Sequence, residues 1–297
     1  MTSVFDAPGQ WLRGNLHLHT TVSDGQLDPQ QAVDDYHEQG YDFLAITDHN
    51  TVVDVDELDD RGMTLLPGVE IAEVGGELGQ TIHCVGIGAS EQWERLEDDN
   101  ALDSIARLSE ICEACFVAHP SWSSLTFADI LPIEGIIGVE VFNTTCRRGV
   151  GRGTSEVQWD GLVARGRNLL GLAVDDAHCK YDDRYGGWIM LKAEEPTRDA
   201  IYDALRAGSF YATMGPTIES VEVDDLTVRV ECSPCVEVFA VSPMAGRGST
   251  NWRAGGGRDE DTSFEFELKP SSDPVRICVV DSAGRRAWTN YRPLTQA

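Results

Sequence analysis

Through its first two thirds the chain alternates short apolar runs with amphipathic stretches, and most of the apolar runs end in a histidine or a carboxylate. Leu16 and Leu18 alternate with His17 and His19. A strand has a side-chain period of two, so this spacing puts both imidazoles on one face and both leucines on the other. Ser23-Asp24-Gly25 follows, a turn-forming end that places a carboxylate just beyond the histidines. From Leu27 to Gly40 the spacing of Ala32, Val33 and Tyr36 predicts a helix, opened by Asp28-Pro29 and closed by Gly40. Residues 41–47 are nearly all apolar, as in a strand buried on both faces, and run into Asp48-His49-Asn50. Residues 64–72 and 81–87 predict further strands, which carry Glu70 and His83. A polar helical stretch from Glu91 to Cys112 leads into an apolar run that ends at His119-Pro120. Residues 136–143 are again strand-like, 154–165 read as a helix, and 168–178 form an apolar strand ending in Asp175-Asp176-Ala177-His178. A strand at 188–192, a helix from Pro196 to Ala207 and a run at 210–213 complete this part.

Strand after strand thus finishes in a polar group. In a β/α barrel the C-terminal ends of the strands converge on one mouth, so these groups are expected to meet in space. The predicted class is α/β, with a barrel over residues 1–214. After Gly215-Pro216 the pattern changes to short alternating segments at 218–223, 227–231, 236–241, 264–268 and 275–280, separated by Gly, Pro, Ser and Asp. That predicts a small all-β, sandwich-like module over residues 215–297. The glycine-rich stretch 245–257 reads as a loop without the spacing of a phosphate-binding GxxxxGK[ST] motif.

Composition narrows the partners. The net charge is −27, from 50 acidic against 23 basic residues, and lysine occurs only at positions 180, 192 and 269. Such a surface repels long nucleic acids and anionic membranes, which leaves a small-molecule substrate as the expected partner. A self-repelling acidic coat with little lysine also suggests adaptation to a high-salt cytoplasm; the plainer alternative is an ordinary acidic protein. No apolar run approaches the roughly 18 residues of a membrane span. The N-terminus lacks the basic and apolar regions of a signal peptide, so a soluble cytoplasmic protein is expected. Oligomeric state is not set by any of these features. The eight cysteines do not make a disulfide scaffold in a chain of 297 residues. Cys112 with Cys115 and Cys232 with Cys235 have CxxC spacing, but a four-cysteine zinc site would require the two distant pairs to meet; small buried thiols are the simpler reading.

Of the seven histidines, His17, His19, His49, His83, His119 and His178 fall at or near predicted strand ends, whereas His37 belongs on the surface of the first helix. Asp24, Asp48, Glu70 and Asp176 accompany them. Mixed imidazole and carboxylate donors suit zinc, manganese or iron, and a shared carboxylate is the usual bridge between two such ions. Asp48 is expected to orient His49 as a supporting partner, and strand alternation directs Asp175 away from the site.

His17-Leu18-His19, Ser23-Asp24-Gly25, Ile46-Thr47-Asp48-His49, Gly68-Val69-Glu70, Ala118-His119-Pro120 and Asp176-Ala177-His178 resemble, in order, the motifs of the PHP (polymerase and histidinol phosphatase) family. The segment 204–216, followed by a β module, further resembles the CehA/McbA-like metallohydrolase branch. The resemblance implies a distorted (β/α)7 barrel and two or three divalent metal ions, Zn, Mn or Fe. It implies one ion held by His17, His19, Glu70 and Asp176, a second by Glu70, His83 and His119, and a third by Asp24, His49 and His178. Glu70 would bridge the first two, with Glu70, Asp176 and His178 at the reacting centre. The activity implied is hydrolysis of a small phosphate mono- or diester. The CehA/McbA-like features suggest a carbamate or carboxylic ester instead, and a non-catalytic metal-containing binding module is a third reading. Arg147, Arg148 and Arg152, in a glycine-rich loop at the predicted mouth, offer a bidentate grip on a substrate anion. Trp122, Phe142 and Trp188 would supply the apolar pocket that a carbonyl ester needs.

Overall fold

The strand that leads into the first two histidines lies in the middle of the main sheet. The computed structural model describes residues 4–244, 259–269 and 273–293. In it β1 (Gln10–Asn15) is flanked by β2 (Phe43–Ile46) on one side and β8 (Trp188–Ala193) on the other. Beyond β2 the row continues through β3 (Thr64–Val74), β4 (Thr81–Ile87), β5 (Ala114–Val117), β6 (Gly138–Asn143) and β7 (Leu170–Val174). Pairing is parallel from β1 to β3, antiparallel through β3, β4 and β5, and parallel again from β5 to β7. On the other flank β8 is antiparallel to both β1 and β9 (Phe210–Thr213).

The ladder does not by itself close into the distorted (β/α)7 barrel expected from the sequence. The twelve described strands of this sheet form a row with two ends, and β3 returns directly into β4 without an intervening helix, which breaks the β/α alternation. One parallel bridge, Leu18 with Ala177, draws the segment after β7 against the segment after β1. His19 N donates to Ala177 O, and Asp176 N to His17 O, both at 2.9 Å. The ends of β1 and β7 therefore meet where the polar residues lie.

Local signals explain the helices. Asp28 and Gln31 form a capping box at the start of α1 (Pro29–Glu38), whose inner face buries Ala32, Val33 and Tyr36. The helix foreseen from Glu91 begins only at α2 (Ala101–Ile111), because the Asn100 side chain accepts from Leu102 N and Asp103 N and sets the start there. After the short α3 (Phe127–Ile130), the glycine-rich loop expected beyond residue 143 instead contains α4 (Thr144–Val150). Asn143 caps it by accepting from Cys146 N, and Gly151, at φ 74°, ends it in the left-handed region. Two longer helices, α5 (Glu156–Val163) and α6 (Arg198–Ala207), complete the set. No helix among the described residues is long and apolar enough to cross a membrane.

Leu16, Phe43, Leu66, Phe116, Leu172 and Ile189 are buried in one apolar cluster beneath the strand ends. Full burial of each such side chain contributes about 1.5–3 kcal/mol. Gly14 is part of this packing: a Cβ there would come within 2.0 Å of the Phe43 ring. At the far flank β9 pairs with β15 (Arg286–Thr289), followed by β14 (Arg276–Val280) and β12 (Glu237–Val241). A separate antiparallel sheet of β10 (Ile218–Asp224), β11 (Thr227–Cys235) and β13 (Asp261–Glu267) shares an apolar cluster with this flank, Val228, Val230, Phe264 and Phe266 joining Val238, Ala240, Ile277 and Val279. Arg276, buried at 2 % exposure, ties these strands to α5 by pairing with Glu156 at 2.9 Å and Asp160 at 3.0 Å. The glycine-rich stretch 245–257 lies outside the described residues.

Candidate metal centre

The sheet delivers each polar strand end to one cleft. Leu16 and Leu18 are fully buried, and His17 and His19 take the opposite face, as period-two alternation requires. The turn that follows is pinned by Asp48, whose Oδ1 accepts from Thr20 N at 2.8 Å and Ser23 N at 3.0 Å while Oδ2 accepts from Thr20 Oγ1 at 2.7 Å. Asp48 was expected to orient His49; instead both its oxygens are taken by the turn that presents Asp24. His49 follows β2 and bridges to Glu70 on β3. His83 stands on β4, while His119 (φ 30°) and Asp176 (φ 55°) come just after β5 and β7 with left-handed backbones. Such conformations persist where surrounding contacts enforce them. For His119 one such contact is the bond from its N–H to Glu140 Oε2, 2.7 Å.

The nine residues proposed from sequence as metal ligands fall into three groups: His17, His19, Glu70 and Asp176; Glu70, His83 and His119; and His19, Asp24, His49 and His178. Within each group the donor atoms lie within 4.8 Å of one another. Glu70 faces two ways. Its Oε1 is 2.8 Å from His83 Nδ1 and 3.3 Å from His119 Nε2, whereas Oε2 is 3.3 Å from His17 Nε2 and 3.2 Å from His19 Nε2. Asp176 Oδ1 lies 3.4 Å from His17 Nε2 and 3.1 Å from His19 Nε2. Asp24 Oδ1 is 3.3 Å from His178 Nε2 and 3.8 Å from both His49 Nε2 and His19 Nδ1. His19 therefore faces two groups, one through each ring nitrogen.

The donor chemistry fits divalent cations. His17 Nδ1 is held by Glu140 Oε1 at 2.6 Å and His178 Nδ1 by the Asp176 carbonyl at 2.9 Å, which turns both Nε2 atoms toward the cleft. His19 Nδ1 is buried without a hydrogen-bond partner, an arrangement that a cation would satisfy. The electrostatics agree. Burial opposes charge on His19, yet hydrogen bonds to Asp176 and Glu70 outweigh it and raise its pKa to about 9. His17 is likewise raised against its burial, by Asp176, Glu70 and Glu140. Burial would raise Glu70 and Asp176 too, but the imidazoles, His17 foremost, hold both below the usual carboxylate range. The pocket favours positive charge at its centre, where protons on imidazole and metal cations compete for the same donors.

No family model matches the chain. Its fold is similar to that of a two-domain protein of Bacteroides vulgatus containing a predicted PHP-like metal-dependent phosphoesterase, with a TM-score of 0.53 and 17 % identity over 92 % of this chain and 91 % of that one. The fold is PHP-like. Over shorter stretches the sequence is similar to a 5'-3' exoribonuclease of Haemophilus influenzae, 39 % identical over 77 residues, which are 25 % of this chain and 27 % of that protein. It also matches a phosphoribosyl 1,2-cyclic phosphate 1,2-diphosphodiesterase of Eggerthella lenta, 32 % identical over 81 residues, 26 % of this chain and 31 % of the relative. The chain thus spans less than a third of the length of these curated relatives.

Several residues that support the cluster carry little signal in the sequence. Glu140 is fully buried, and besides His17 and His119 it accepts from Asn143 Nδ2 at 2.8 Å. Its one sequence signal is a carboxylate set between Val139 and Val141 in an apolar run, where a charge needs a partner. Asn143 also donates to Asp176 Oδ2 at 3.1 Å, and Asp183 accepts from His178 N at 3.0 Å. Asp175 points away, as alternation predicts, and accepts from Tyr36 Oη and Thr144 Oγ1, both at 2.8 Å.

The cluster forms the floor of a cleft of about 370 Å³. Lys180 lines it, with Nζ 2.9 Å from Asp24 Oδ2. Arg147, Arg148 and Arg152 are exposed and outside the lining: Arg147 sits 5.9 Å over the Phe142 ring, Arg148 is 3.4 Å from Asp182, and Arg152 donates to Ser124 Oγ at 2.7 Å. Of the three aromatics expected near the mouth only Trp122 lines the cleft. Phe142 is buried against Trp288, and Trp188 packs on Arg13 and Tyr41. His37 is exposed on α1, and among the described residues no cysteine joins a group spaced to hold a metal.

Proposed function

We propose that the protein is a metal-dependent phosphoesterase acting on a small phosphate mono- or diester. The observation that carries this reading is Glu70, which turns one carboxylate oxygen to His83 and His119 and the other to His17 and His19. The three groups would hold two or three divalent ions, Zn, Mn or Fe, with Glu70 shared between the first two. When bound, such ions acidify a water near neutral pH and neutralise charge that develops on phosphate oxygens. The chain's own residues do the rest. Glu140 fixes the ring of His17 and the backbone of His119, so neither reorients when substrate enters. Glu70, Asp176 and His178 surround the point of reaction, and Lys180 engages a phosphate oxygen. Arg147 and Arg148 in the last turn of α4, with Arg152 just beyond its Gly151 stop, attract the anion on approach. In the same reading the strands from β1 to β7 form an incompletely closed barrel, residues 1–214 are the hydrolase unit, and residues 215–297 are a β-rich module.

A second reading, hydrolysis of a carbamate or carboxylic ester of the CehA/McbA type, draws support from Trp122 and Val150 in the lining. Parallel assays on bis(p-nitrophenyl) phosphate and p-nitrophenyl acetate, with Mn- and Zn-loaded protein and a Glu70→Ala control, separate the two. Phosphodiester turnover that disappears in the control is expected. Full metal content without turnover of either ester would leave a non-catalytic metal-binding module.

A further inference from the structure

The cleft is polar at depth, and its exposed lining sets three large side chains, two of them aromatic, beside Lys180 and Asp24. Glu70, His119 and Asp176 on the floor are 1 %, 4 % and 4 % exposed, whereas Trp122, Val150 and Tyr181 on the lining are 44 %, 63 % and 44 % exposed. Large apolar side chains converging on one opening of a strongly acidic protein mark a surface that something covers. The two aromatic rings are also held in place. Trp122 packs nearly perpendicular to His119 and His83, with centroids 5.0 and 5.9 Å apart, and Tyr181 Oη donates to Thr145 O at 3.2 Å. Rings already fixed lose little conformational freedom when a flat group settles on them.

We propose that this rim binds the flat aromatic group of an aryl or arylmethyl phosphoester, with Trp122 as the principal platform, while Lys180 leaves Asp24 for an oxygen of the phosphate. The inference rests on the phosphoesterase reading and narrows its substrate class. The floor takes the anionic phosphate, and the ester's organic half is directed outward to Trp122, Val150 and Tyr181. Water adds to phosphorus as the ester P–O bond breaks, which releases the aromatic alcohol and leaves phosphate in the floor.

The test compares benzylphosphonate with propylphosphonate. Both present the same anion and neither has a cleavable ester bond, so titration calorimetry on the metal-loaded protein reads the rim alone. Benzylphosphonate is expected to bind about tenfold tighter, the gain typical of an added aromatic contact. Trp122→Ala should remove most of that preference and Trp122→Phe should keep it, while Lys180→Ala weakens both ligands alike. Equal affinities in the unmodified protein, failure of both ligands to bind, or equal weakening of both by Trp122→Ala would overturn the proposal. Turnover of benzyl phosphate is the separate readout: a benzyl preference without hydrolysis would sink the phosphoesterase reading and leave the aromatic subsite standing.

Discussion

The charge around Arg276 and the charge around Glu70 are neutralised differently. Between α5 and the C-terminal strands, Arg276 supplies a permanent cation to Glu156 and Asp160, and Tyr291 Oη donates to Asp160 Oδ1 at 2.7 Å. Around Glu70 no guanidinium pairs with the carboxylates among the described residues. The charge facing Glu70 and Asp176 comes from imidazoles, Lys180 reaches only Asp24 at the edge, and the buried Nδ1 of His19 has no hydrogen-bond partner among the described residues. The first cluster balances its charge within the polypeptide, although Arg276 Nη1 is buried with no hydrogen-bond partner among the described residues, and it holds two parts of the chain together. In the proposed reading the second is satisfied fully when cations from outside replace protons, as suits a reactive centre more than a structural joint.

The comparison can be broken most forcefully at Arg276. Arg276→Ala removes the buried cation shared by Glu156 and Asp160, which are 19 % and 25 % exposed, and although Arg286 still pairs with Glu156 it should cost about 2–4 kcal/mol of stability in denaturant unfolding, with metal content unchanged. A loss of bound metal in that variant would mean the two clusters are not independent. Glu70→Ala is expected to do the reverse. Metal bound per chain, read by elemental analysis, should fall, and kcat/KM should drop on the order of 10²–10³-fold. Its folding should change less than that of Arg276→Ala, because imidazoles can release protons and a guanidinium cannot.

A smaller effect is expected at Glu140. Glu140→Gln keeps the shape but removes the ionic partner of His17 Nδ1, and should weaken metal affinity about 10–100-fold in a competition against a chromogenic chelator. Unchanged affinity would mean that His17 needs no orienting partner. The smallest effect is expected from salt. Molar KCl screens the exposed part of the −27 net charge and should raise Tm by a few degrees, by the same amount in wild type, Arg276→Ala and Glu70→Ala, since Arg276 and Glu70 themselves are only 2 % and 1 % exposed. A shift that differed among the three would place the salt response in the clusters and not in the acidic coat.

Much of the candidate site was legible in the chain because its signals are local. Alternation at residues 16–19 set which face each imidazole takes, and the placement of histidines and carboxylates after apolar runs predicted that they would gather. The supporting groups were not legible. Glu140 meets His17 across 123 positions, and Asp48 meets Thr20 rather than its neighbour His49, pairings that no periodicity encodes. The stretch after residue 143 shows a different failure: its glycines suggested a loop, while the Asn143 cap and Gly151 stop bound a helix that carries Arg147 and Arg148 outside the cleft lining. The sequence by itself determined the apolar runs, the polar residues that end them, and the β-rich character of the last segment, because side-chain period and turn chemistry act between near neighbours. Only the tertiary structure decided that β3 returns into β4, that the ends of β1 and β7 meet at a single bridge, and that Lys180 lines the cleft, because long-range pairing depends on how the whole sheet twists and packs.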